Sequence, residues 1–102
     1  VNVDELAEAG YEAFGESNDG LGYDWNVFAV WLKDGVFYWA QDAGCSCNYA
    51  WDSSIFPDDF EGYGNAHDAI KALHSWAGSS YSASGSDTLM TKLLDYRPPK
   101  AA

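Results

Sequence analysis

A chain of 102 residues has room for one domain, because a split would leave halves too small to bury a core. Its 47% hydrophobic and 17% aromatic residues, against 21% charged, exclude a disordered or low-complexity protein. Sixteen acidic side chains against five basic ones leave a net charge of −11, which argues against direct binding of nucleic acid, whose recognition depends on Lys and Arg neutralising phosphates.

Residues 4–14 allow two readings. Leu6, Ala9, Gly10, Ala13 and Phe14 fall at helical spacing behind acids that suit a helix N-terminus, although Gly10 weakens a helix. Tyr11-Glu12-Ala13-Phe14 also alternates as a strand would. Asn18-Asp19-Gly20, with Gly22 close behind, has the residues of a turn.

The clearest element is a pair of β-branched and aromatic runs, Val27–Leu32 and Val36–Ala40, joined through Lys33-Asp34-Gly35. This pattern predicts an antiparallel hairpin over about 26–33 and 35–41 with a primed turn. Both faces of its first strand are apolar, Val27, Ala29 and Trp31 on one side and Phe28, Val30 and Leu32 on the other, so both need a cover. The helices, the N-terminal segment or a partner protein can provide it.

From Asp52 to Gly64 the composition is that of a loop. Asn65 then predicts a helix N-cap, with Asp68 three positions on to return a capping bond. The helix is expected over 65–77, with Ala66, Ile70, Leu73 and Ala77 as its apolar stripe and Gly78 as its stop. A last helix over 87–96 presents Leu89, Met90, Leu93 and Leu94, and Pro98-Pro99 end it, leaving 97–102 as a flexible tail. The fold expected is a single α+β domain over 1–102: a small antiparallel sheet centred on the hairpin and packed by the two C-terminal helices.

The charge is uneven. Residues 1–68 carry −13 and residues 69–102 carry +2. An acidic face of this kind steers basic partners, while the same acids also keep an aromatic-rich protein soluble. No run of apolar residues is long enough to span a bilayer, and the acidity disfavours anionic lipid surfaces, so no membrane contact is expected. The opening Val-Asn-Val-Asp-Glu-Leu lacks the basic and apolar regions of a signal peptide, which suggests a cytoplasmic protein.

Catalytic signatures are missing. There is no nucleophile elbow, no phosphate-binding glycine loop and no carboxylate pair of glycosidase type, so the chain is read as a non-enzyme without a cofactor. Cys45 and Cys47, with His67 and His74, have the ligand types of a zinc site. On one helix, however, those histidines sit about 10.5 Å apart along the axis, so at most one can join the thiols, with Asp42 or Asp52 as a further ligand. A small metal or thiol site on Cys45 and Cys47 is therefore the alternative reading, against two thiols that merely fill a tight turn.

Five Trp, seven Tyr and five Phe are more than a domain of this size can seal away. Trp39, Tyr49, Trp51, Phe56, Phe60 and Tyr63 fall in the acidic part of the chain. Exposed Trp and Tyr anchor protein interfaces. The candidate binding surface is accordingly Trp39, Asp42, Tyr49, Trp51, Asp52, Asp58, Asp59, Phe60 and Glu61.

The stretch Phe28-Ala-Val-Trp31, Asp34-Gly35-Val-Phe-Tyr38-Trp39-Ala40-Gln-Asp42-Ala-Gly44-Cys45-Ser46-Cys47, closing on Trp51-Asp52, resembles small uncharacterised proteins of actinobacterial phages. Those proteins share a Val-Trp strand, an Asp-Gly hairpin and a Gly-Cys-Ser-Cys segment. The likeness covers about residues 24–52, with Ala43 where the group usually has Ser and Asn48 where it usually has Pro. It implies an accessory protein of the host bacterial cytoplasm that binds or inhibits a host protein as a monomer or weak dimer. Mimicry of DNA's charge, directed at a DNA-binding host protein, is a special case.

Overall fold

A computed structural model of the protein describes residues 3–21, 24–45, 60–79 and 86–97. In chain order these form α1 (Val3–Glu8), β1 (Glu12–Leu21), β2 (Asp24–Lys33), β3 (Val36–Cys45), β4 (Gly62–Gly64), α2 (Ala66–Ser79) and α3 (Ser86–Asp95). The strands make one antiparallel sheet in the order β1-β2-β3-β4, and with the C-terminal helices this is the α+β arrangement expected.

The central hairpin follows from its turn. Asp34 (φ 53°) and Gly35 (φ 80°) both occupy the left-handed region, as a primed two-residue turn requires, and Asp and Gly tolerate it best. Lys33 consequently pairs with Val36, and the ladder continues through Val30 and Trp39 to Asp24 and Cys45. The strands are longer than the pattern predicts, because pairing extends past the apolar runs.

Residues 4–14 turn out to hold both elements of the two readings. Helix α1 stops in a closure that uses Gly10, at φ 95°. The Gly10 N–H donates to the Ala7 carbonyl at 3.0 Å and the Tyr11 N–H to the Leu6 carbonyl at 2.8 Å, the paired bonds of a Schellman motif. The glycine that weakens a long helix is what ends a short one, and β1 begins two residues later.

Asn18-Asp19-Gly20 do not form the expected turn. They continue β1 and pair with Val27, Asn26 and Trp25. An edge strand tolerates Gly and charged residues that a central one would not, and its apolar neighbour β2 supplies the pairing that local propensity lacks. A bulge between Ala13 and Gly15 leaves Phe14 as the extra residue, and Phe14 packs edge-on to Phe37 at 5.0 Å.

Helix α2 starts as predicted. The Asp68 N–H donates to Asn65 Oδ1 at 2.9 Å and the Asn65 N–H to Asp68 Oδ2 at 3.0 Å, a reciprocal capping box. Its end differs: α2 runs through Gly78 to Ser79, so Gly78 is not the stop. The buried side chains of α2 are Ala69, Leu73 and Trp76, with Ala66, Ile70 and Ala77 packed beside them. On α3 Leu89 and Leu93 are buried, whereas Leu94, expected on the apolar face, is exposed. Arg97, assigned to the tail by the sequence, turns its guanidinium back onto the Leu94 and Tyr96 carbonyls at 3.2 and 2.9 Å, a favourable charge for a helix C-terminus.

Both faces of the sheet are covered. Phe28, Val30 and Phe37 meet α2 and α3 through Leu73, Trp76, Leu89 and Leu93. On the opposite face Ala29, Trp31 and Ala40 pack with Leu6 of α1, flanked by Tyr11 and Phe60.

Candidate functional site

The face away from α2 and α3 gathers rings from four segments. Tyr38 of β3 pairs in register with Trp31 of β2 and Tyr63 of β4, and residues paired across antiparallel strands share a face. Tyr63 stacks on Tyr38, with centroids 5.9 Å apart and planes 29° apart. Tyr11 meets Tyr38 edge-on at 5.0 Å, and Phe60 fills the angle between them, 5.1 Å from Tyr38 and 5.2 Å from Tyr11. Beneath them Trp31 is sealed, 5.4 Å from Phe60. The row therefore runs from a buried indole to an open phenol: Tyr63 is 73% exposed.

Charge lies around these rings. The Lys33 ammonium sits 4.6 Å from the Tyr11 ring centroid. Glu61, two positions before Tyr63, is exposed, and its Oε2 accepts a bond from Gln41 Nε2 at 2.9 Å. The Glu61 N–H donates to the Trp39 carbonyl at 2.9 Å, which fixes the segment entering β4 against β3.

The predicted surface is only partly assembled in the described residues. Phe60 belongs to this face, whereas the Glu61 carboxylate is hydrogen-bonded to Gln41, which pairs with Phe28 of the helix-side core. Asp42 follows on the Tyr38 side of β3, opposite Val27, and accepts a bond from the Ala43 N–H at 2.9 Å. Trp39 is directed the other way: it is half-buried against the helix-side core. Gly62 touches its indole so closely that a Cβ there would lie 2.7 Å from Cζ2. Tyr49, Trp51, Asp52, Phe56, Asp58 and Asp59 lie outside the described residues. Tyr11 and Tyr38 were not singled out for this surface. For Tyr38 the alternation of β3 is a signal, since it shares parity with Asp42; for Tyr11 no local signal exists, because a different strand brings it here.

For the alternative metal reading, His67 and His74 are both exposed on α2. Cys45 ends β3 and Cys47 lies outside the described residues. Among the described residues no group of three or more His, Cys, Asp or Glu is placed to hold a metal ion. No described helix is long and apolar enough to cross a membrane.

The fold and this face describe a small α+β domain that presents a graded row of rings with the Asp42 carboxylate on the same side of β3. The chain belongs to the family described as Domain of unknown function (DUF7574), which matches residues 4–94. No curated protein and no solved structure matches it.

Proposed function

We propose that this protein is an acidic protein-binding module, a phage-type accessory protein that binds or inhibits a host protein in the bacterial cytoplasm. The observation that carries the reading is Tyr63, 73% exposed yet stacked on Tyr38, on the side of β3 that also carries Asp42. A Tyr side chain held rigid by stacking loses little entropy on binding, and its phenol offers both an apolar face and a hydrogen bond. The carboxylate of Asp42 on that side of β3 suits a partner bearing Lys or Arg, and the net charge of −11 steers such a partner toward the protein. The resemblance of residues 24–52 to phage proteins supports the source of the module and the choice of a host factor as its target.

Affinity capture from bacterial lysate, read by mass spectrometry, tests this. One or two proteins should be retained stoichiometrically by the native chain. The variant Tyr63→Ser with Asp42→Asn, checked for native circular dichroism, should retain them at least about 30-fold less well, the loss expected of an interfacial hot spot of about 2 kcal/mol. Equal retention by the variant would refute this surface, and no retained protein would refute the module. In the DNA-mimic case the captured proteins bind DNA, and their retention falls steeply with salt.

A further inference from the structure

Three side chains on the face away from α2 and α3 lie directly opposite one another on adjacent strands: Trp31 of β2 pairs with Tyr38 of β3, and Tyr38 with Tyr63 of β4. Neighbouring strands run about 5 Å apart, so this pairing sets an indole and two phenols in a line across the sheet, each within reach of the next. Trp31 is sealed, Tyr38 is half-buried and Tyr63 is largely open to solvent. Phe60 lies against both Trp31 and Tyr38, with centroids 5.4 and 5.1 Å away, and helps to keep water from the indole.

Indole and phenol are the side-chain rings that give up an electron most readily, and an oxidising hole passes between such rings when they are close. A phenol holds the hole only once its proton has left, because the oxidised phenol is a strong acid. A half-buried phenol releases that proton less readily than one open to water, which accepts it directly. The line therefore runs downhill to Tyr63. Its side branch is disfavoured: Tyr11 also meets Tyr38 at 5.0 Å, but the Lys33 ammonium lies 4.6 Å from the Tyr11 centroid, and a positive charge there opposes a second one on the ring.

We propose that Trp31, Tyr38 and Tyr63 form a relay that carries oxidising holes out of the core and delivers them to Tyr63. A one-electron oxidant takes an electron from Trp31. An electron then passes from Tyr63 through Tyr38 to the oxidised indole, which is restored, and the Tyr63 phenolic proton goes to water, leaving a neutral phenoxyl radical. This asks nothing of a partner, so it stands or falls separately from the binding reading.

The test is pulse radiolysis of the full chain with azidyl radical, a one-electron oxidant that prefers indoles to phenols, followed by the optical absorption of the indole and phenoxyl radicals. A nitrosoalkane trap marks the residue on which the radical rests, and peptide mass spectrometry reads both the trap and any oxidised indole. In the native chain, indole radical should convert to phenoxyl at a rate independent of protein concentration, with the trap on Tyr63 and Trp31 intact. Tyr38→Phe keeps the ring and removes the oxidisable phenol; it should lose most of that conversion and leave Trp31 oxidised, as should Tyr63→Phe. Tyr11→Phe should change neither readout, and Lys33→Met should add trap at Tyr11. Native circular dichroism of each variant separates a broken relay from broken packing. Oxidised Trp31 in the native chain, intact Trp31 in Tyr38→Phe, trap on Tyr11 of the native chain, or a conversion that scales with protein concentration would overturn the proposal.

Discussion

Replacing Leu6 by alanine tests how the second face of the sheet is held. Leu6 is fully buried, yet it belongs to a helix of only six residues, far too short to persist in water without tertiary contacts. It also occupies the position in the Schellman closure whose side chain packs under Tyr11, and it caps Ala29, Trp31 and Ala40. Removing a sealed leucine side chain costs its transfer energy and leaves a cavity, together about 2–5 kcal/mol. Because α1 can undock rather than keep the void, the lower half, about 2–3 kcal/mol, is expected. For a domain of this size that lowers Tm by about 8–24 °C. Urea unfolding should give the loss together with a reduced m-value, since the undocked face is already wet. Hydrogen exchange should show the Gly10 and Tyr11 amides unprotected, their acceptors being the Ala7 and Leu6 carbonyls. Leu94→Ala, at a position 60% exposed, is the control and should change stability by no more than about 0.5 kcal/mol. A Leu6→Ala cost below about 1 kcal/mol with both amides still protected would refute the idea that α1 seals this face.

Two further substitutions probe local devices. Asn65→Ala removes the acceptor for the Asp68 N–H and should cost about 1 kcal/mol, a Tm loss of about 4–8 °C, whereas Asn65→Asp keeps an acceptor and should stay within a few tenths; thermal denaturation distinguishes them. Gly62→Ala places a Cβ 2.7–2.8 Å from three atoms of the Trp39 indole, so the ring must shift; about 1–3 kcal/mol of destabilisation is expected, with a changed near-ultraviolet circular dichroism band as the sign that the indole moved.

Local chemistry made much of the fold legible. Asp34-Gly35 and the apolar runs around them specify the β2–β3 hairpin and its register, and Asn65 with Asp68 specifies the start of α2, because each depends on residues within a few positions of one another. The acidic balance and the surplus of aromatic rings likewise follow from composition, and with them the expectation of an exposed ring beside carboxylates.

Tertiary structure alone decided the rest. Asn18-Asp19-Gly20 became strand because β2 offered a paired backbone along their whole length, through Val27, Asn26 and Trp25, a contact that no local window contains. Trp39 and Phe60, equal candidates by composition, went to opposite sides of the sheet, since the parity of β3 directs Trp39 toward the helices and the chain entering β4 carries Phe60 to the other face. The row of Tyr11, Phe60, Tyr38 and Tyr63 joins residues up to 52 positions apart. Only folding brings such residues within ring-contact distance, so a site built from them exists in the packed chain and nowhere in the linear one.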